Sequence, residues 1–187
     1  MEELLIVLIL SELTALVYVV CMNGDFILDD LLIWQSVQYS MNKRKGTDLK
    51  SLFKQLKDVL SQRALLHWTF KRDALLHGWS TLGWHWTNNS VHIVNVVAMY
   101  AILRWWFDQY SSGVGALILA FHPLACQSVA YLSGRSSALC AMFYLLSILA
   151  FMLGWWLLIP VLAFLGFKCK EEIAVLPVTL FLVWRYM

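Results

Sequence analysis

From Ser136 to Phe167 the chain reads SSALCAMFYLLSILAFMLGWWLLIPVLAFLGF, 32 residues without one Asp, Glu, Lys or Arg. A helix crosses roughly 30 Å of hydrocarbon with about 20 apolar residues, so this run is too long for one comfortable span. Gly154-Trp155-Trp156 lies near its middle. Glycine permits a sharp backbone turn and tryptophan favours the membrane–water boundary. The stretch therefore predicts a tight hairpin of two spans. The same reading extends to the rest of the chain. Leu4–Cys21 is a first span, Val91–Phe107 a second and Gly113–Leu132 a third, the last interrupted by His122-Pro123. Ile173–Trp184, ended by Arg185, completes a set of about six. The start is Met1-Glu2-Glu3, with Glu12 inside the first run. A secretory signal would need a basic start and a small-residue cleavage site, so the first span reads as retained.

Composition agrees. Of 187 residues, 60% are hydrophobic and 14% charged, against roughly 45–50% and about 25% in soluble domains. Mean hydropathy is +0.67. These values exclude a disordered chain, a nucleic-acid-binding tail and almost every water-soluble enzyme fold. The net charge of +2 says little, because the charges are clustered. The cysteines (Cys21, Cys126, Cys140 and Cys169) lie in or beside apolar runs, with neither metal-ligand nor disulfide spacing. Lipid requires every backbone polar group to be paired internally, and no β-barrel alternation is present. The expected fold is an all-α membrane protein, one membrane module over residues 1–187, with no nucleic-acid partner.

Residues 23–90 differ. The interval Met22–Ser90 holds nine of the 14 Lys and Arg. Within it Leu49, Leu52, Phe53, Leu56, Val59 and Leu60 fall on one helical face, with Lys50, Lys54, Lys57 and Asp58 off it. Such a Lys-rich amphipathic helix between two spans reads as lying flat at the interface. A second segment, Ala74–Trp86, carries Trp79, Trp84 and Trp86, the signature of an interfacial aromatic belt. Both are expected as juxtamembrane helices in an extra-membrane loop; the competing reading is a small soluble loop domain. Asn88-Asn89-Ser90 matches a glycosylation sequon but abuts a span and reads as incidental.

Counting crossings places Asp25, Asp29, Asp30, Lys71, Arg72, Arg135, Lys168, Lys170, Glu171 and Glu172 on one membrane face. The other face is almost bare of charge. Two constellations emerge. Asp29 and Asp30, with Asp25 one turn earlier, are carboxylates that act as general bases or hold a divalent metal such as Mg or Mn. Arg72, Arg135, Lys168 and Lys170 are cations that clamp phosphate. Together at a bilayer surface they suit a lipid-linked phosphate substrate. Taken singly, each is also an ordinary interfacial anchor. Pro123 bends its span and leaves His122 at the break, as a substrate contact or as a structural hydrogen-bonder.

These stretches resemble a known family. Phe121-His122-Pro123-Leu124-Ala125-Cys126-Gln127-Ser128-Val129-Ala130-Tyr131-Leu132-Ser133-Gly134-Arg135 is similar to the HP…EAVA…SGR motif of the TMTC proteins, the transmembrane and TPR-repeat-containing O-mannosyltransferase-like family, and of their bacterial relatives. Lys170-Glu171 followed by Ala174-Val175-Leu176-Pro177 resembles the family's KE…LP. Phe26-Ile27-Leu28-Asp29-Asp30 resembles its F-x-x-D-D. Lys71-Arg72 falls where the family has Y-R-P, with Asp73 in place of the proline. His92 and Asn95 match its H-x-V-N. The motifs keep the family order over about residues 24–180, the front half of the family's membrane region.

The resemblance implies a GT-C glycosyltransferase module. Such enzymes use polyprenyl-phosphate sugars, mannose among them, at the lumenal face of the endoplasmic reticulum or the periplasmic face of a bacterial inner membrane. It implies Met1 on the cytoplasmic side and the charged face extracytoplasmic, against the positive-inside tendency. It further implies an inverting displacement at the anomeric carbon. Asp29 or Asp30 would serve as base or metal ligand, with a protein or glycan acceptor. Arg72, Arg135 and Lys170 would take the departing lipid phosphate, with Glu171 orienting Lys170 or the acceptor and His122 nearby. The rival reading is a non-catalytic membrane interaction or lipid-phosphate-binding protein, or one half of a split transferase completed by a partner membrane subunit. A transporter is weaker, because intramembrane charge is scarce apart from Glu12.

Overall fold

The computed structural model describes residues 2–22, 24–26, 29–42 and 63–187. The expected amphipathic helix at 48–60 lies outside the described residues. Among those described, the regular structure is helical: α1 Glu2–Tyr18, α2 Asp29–Asn42, α3 Ala64–His77, α4 Thr81–Leu103, α5 Gln109–Phe121, α6 Pro123–Val129, α7 Arg135–Met152, α8 Leu158–Phe167 and α9 Leu176–Tyr186. Short 3-10 turns extend α1 over Val19–Cys21 and precede α7 and α9.

Two helical stretches, Glu2–Cys21 and Leu132–Met152, are long and apolar enough to cross a membrane. A third arises if α5 and α6 count as one span bent by 60°. The chain is an all-α membrane protein.

The bend falls at the expected break. Pro123 opens α6, where its missing N–H costs nothing. His122 caps the helix, its Nδ1 accepting from the Leu124 N–H at 3.2 Å. The chain also turns at the expected hinge, although the helix after it, Leu158–Phe167, has 10 residues and falls short of a span. Gly154 takes φ +76° between α7 and α8, a conformation that side chains with a Cβ resist. The Trp155 N–H closes the turn on the Ala150 carbonyl at 2.8 Å.

The helix at the expected second span starts earlier than the hydropathy implied, and it is not among the helices apolar enough to cross a membrane by themselves. Hydropathy placed it at Val91–Phe107, but α4 begins at Thr81 and ends at Leu103. Its first half hides from a hydropathy reading because its polar residues face inward. His85, Asn88, Asn89, His92 and Asn95 are all buried. Three of them staple α4 to its neighbours: Asn89 donates to the Ala15 carbonyl, Asn88 to the Val129 and Tyr131 carbonyls, and Asn95 to the Ala138 carbonyl. Polar side chains bridging helices are a common adhesive in lipid. Asn88 of the sequon is fully buried. Ala74–Trp86 is not one helix but the end of α3, a turn and the start of α4, with Trp79 and Trp86 exposed. Trp84 is 1% exposed, because it belongs to an aromatic cluster with Phe26, Trp34 and Phe70.

The core has two parts. In the larger, Leu139, Phe143, Leu145 and Ile148 of α7 pack with Ala98 and Ile102 of α4, with Ile173 and Leu176, and with Leu66 and Phe70 of α3. In the smaller, Leu10 of α1, Val96 and Tyr100 of α4, and Ala116 and Ala120 of α5 meet. Arg104 and Glu3 pair at 2.7 Å beside the Asp108 cap of α5. From Trp84 to Arg104 is 20 residues of mostly helical backbone, or roughly 30 Å at 1.5 Å per residue. One hydrocarbon thickness therefore separates that small polar cluster from the charged end.

Candidate functional site

At the charged end, the segment Ser133–Ser137 gathers residues from three distant parts of the chain. The Ser133 N–H donates to Asp30 Oδ1 at 2.8 Å. Arg135 Nη1 stands 2.7 Å from Asp73 Oδ2. Asp73 Oδ1 accepts from Arg72 Nε and Nη2 at 3.1 and 2.7 Å. Lys170 Nζ donates to Ser137 Oγ at 2.9 Å and pairs with Glu172 at 2.7 Å. Gly134 makes this convergence sterically possible. A Cβ there would sit 2.1 Å from the Gln127 carbonyl oxygen, and backbone cannot yield as a flexible side-chain tip can.

The carboxylates divide. Asp30 is 2% exposed and anchors the Ser133 loop. Asp29 opens α2 and is exposed, and its backbone N–H donates to the Tyr131 hydroxyl at 3.3 Å. Its carboxylate meets no partner among the described residues. No group of three or more His, Cys, Asp or Glu among the described residues is placed to hold a metal ion. Asp29 and Asp30 are two adjacent carboxylates, one of them already accepting from the backbone; Mg²⁺ is commonly held by one or two carboxylates together with substrate phosphate and water.

The cations divide as well. Arg135 has no exposed side-chain surface. Nε donates to Asn88 Oδ1 at 2.6 Å, Nη2 to the Trp84 carbonyl at 3.0 Å, and the guanidinium carbon lies 4.6 Å from the Phe70 ring centroid. Arg72 faces outward, and Lys170 is 25% exposed. Glu171 reaches Arg63 at 3.4 Å. Its own backbone N–H, aided by Arg63, holds its carboxyl below the ordinary Glu range.

His122 does not join this hub. It caps α6 and lines a cavity of about 340 Å³ with His92, Asn95, Ser128 and Ser137, which borders the hub through Ser137. Cys169, beside Lys170, is buried, which pushes its thiol up to about 12.

The central residue missing from the sequence-based set is Asp73. A signal for it existed. Leu66, Thr69, Phe70, Asp73 and Ala74 are the buried positions of α3, spaced i, i+3, i+4, i+7 and i+8. That stripe puts a carboxylate on an apolar face, where it needs a cation. Asn88, the second acceptor for Arg135, lay in a stretch read only as a sequon.

The sequence was compared with known proteins. It is 29% identical over 155 residues to a protein O-mannosyl-transferase of Caenorhabditis elegans, covering 76% of this chain and 22% of that protein. It is 27% identical over 135 residues to mouse protein O-mannosyl-transferase TMTC3, covering 67% of this chain and 14% of that protein. Against human TMTC3 it is 26% identical over 157 residues, covering 76% and 17% respectively. The chain thus spans about a fifth of the length of the curated relatives it matches. No family model matches it, and no solved structure does. The similarity is to TMTC-family proteins.

Proposed function

We propose that this chain is a glycosyltransferase module of GT-C type, transferring a sugar from a polyprenyl-phosphate donor to a protein or glycan hydroxyl. In this reading it crosses the membrane about six times, and the end holding Asp29, Arg72 and Lys170 is lumenal or periplasmic. The observation that carries the reading is the convergence on Ser133–Ser137 of Asp30, the Asp73–Arg72 pair and Lys170. These are the segments whose motifs resemble the family, and they supply a base and cations at one end of an apolar bundle.

Asp29 is the base. It takes the proton of the acceptor hydroxyl while that oxygen forms its bond to the anomeric carbon. The bond from that carbon to the phosphate oxygen breaks, and the lipid phosphate leaves with the electron pair. Arg72 and Lys170 face the developing negative charge, where fixed cations do most for the transition state. Asp30 holds the Ser133 loop that carries this geometry, and no step runs through a metal.

The test is transfer of radiolabelled sugar from a polyprenyl-phosphate donor by the full chain in lipid nanodiscs, with donor binding measured alongside. Asp29→Asn is expected to lower transfer by about 10²–10⁴ while donor affinity stays near wild type. Donor binding by the wild type without any transfer would favour the lipid-phosphate-binding reading instead.

A further inference from the structure

Two guanidinium groups meet the one Asp73 carboxylate, and they meet it differently. Oδ1 accepts two N–H groups from Arg72, and Oδ2 faces Arg135 Nη1. The Asp73 and Arg135 side chains are both 0% exposed, whereas that of Arg72 is 42% exposed. The remaining edges of Arg135 are taken by Asn88 and the Trp84 carbonyl, and its plane lies on Phe70. A ligand outside the fold has no access to it. Arg72 is held on one side only. Nε and Nη2 bind Asp73, and Nη2 also donates to Thr87 Oγ1 at 2.8 Å. Nη1 meets no acceptor among the described residues. Asp30 adds a second carboxylate whose charge acts on Arg135, and the guanidinium of the cluster that reaches the surface is that of Arg72.

We propose that Asp73 is a positioning residue that neutralises Arg135 inside the fold and holds Arg72 with its Nη1 edge outward, so that Arg72 is the guanidinium that binds a phosphate ester. This rests on the lipid-phosphate reading of the preceding section. It assigns Arg135 to the interior and separates two arginines that the sequence alone treats as equivalent. A guanidinium fixed by a carboxylate on one edge loses less rotamer freedom when an anion takes the other.

The experiment is binding of farnesyl phosphate, with farnesol as control, to the purified full chain in detergent. Wild type is expected to bind the phosphate and not the alcohol. Arg72→Gln should weaken binding about tenfold or more, as expected for a lost charge-assisted hydrogen bond. Asp73→Asn should weaken it similarly. The deciding readout is the double variant, which should bind no more weakly than Arg72→Gln alone. A merely structural Asp73 would repeat its full loss on the Arg72→Gln background.

If Asp73→Asn does not fold, Asp73→Asn with Arg135→Met removes both buried charges together, and the same comparison is made with and without Arg72→Gln. Additive losses, or wild-type affinity in Arg72→Gln, would overturn the proposal alone. Failure of the wild type to bind farnesyl phosphate would overturn the lipid-phosphate reading and this proposal with it.

Discussion

Arg135 and Arg72 share a carboxylate but stand in opposite surroundings, and their substitutions should separate accordingly. Removing one partner of a buried ion pair leaves the other charge uncompensated in a low-dielectric interior, at a cost of about 3–5 kcal/mol. Arg135→Ala should therefore lower thermal stability in detergent by an amount in that range. Arg135→Lys should recover little of it. A lysine presents one compact ammonium, whereas Asn88, the Trp84 carbonyl and Asp73 are reached by three different nitrogens of one planar fork. Arg72→Ala removes a group that is 42% exposed and leaves Asp73 still facing Arg135, so it should lower stability by clearly less than Arg135→Ala. Equal losses from Arg135→Ala and Arg72→Ala would contradict the buried position of Arg135.

Helix ends carry much of the local specification. Asp108 caps α5: Oδ2 accepts from the Tyr110 and Ser111 N–H groups at 2.9 and 3.2 Å, and Oδ1 from the Ser111 hydroxyl at 2.6 Å. The Ser111 hydroxyl, then the backbone N–H groups, hold the Asp108 carboxyl below its ordinary value. A depressed folded-state value means that the ionised cap stabilises the fold above the ordinary carboxylate range. That contribution is lost as pH falls through the lowered value. Asp108→Asn keeps the cap geometry and removes the charge. The melting-temperature gap between wild type and Asp108→Asn should be open at neutral pH and close as the medium is acidified. A gap independent of pH would show that the charge is not what stabilises the cap.

Across the whole molecule, among the described residues, two polar clusters lie about one membrane thickness apart, one at Glu3, Arg104 and Asp108 and the other at Asp30, Arg72, Asp73, Arg135 and Lys170. Arg63 and Glu171 lie at the second, 3.4 Å apart and 108 residues apart in sequence. With the native cysteines replaced, Arg63→Cys and Glu171→Cys in one chain should cross-link with a short bifunctional reagent. Impermeant labels should reach Arg72→Cys and Glu171→Cys from one side of sealed vesicles and Asp108→Cys from the other. Labelling of positions 72 and 171 from opposite sides would break the site apart.

Much of this protein was legible from residue order. The apolar runs dictated an all-helical membrane chain, because lipid leaves the backbone no other partner. Gly154 marked the hairpin and Pro123 the bend, since each acts through its own backbone geometry. The Asp29-Asp30, Ser133-Gly134-Arg135 and Lys170-Glu171 motifs were visible as short strings. Hydropathy could not find where α4 begins or which charges face inward. It averages over a window and treats every polar residue as seeking water. Asn88, Asn89 and Asn95 find partners on other helices instead. Arg135 is buried with a counter-charge supplied by Asp73 from 62 residues away. That pairing is a property of packed helices, and so the division of labour between Arg72 and Arg135 was decided by tertiary structure.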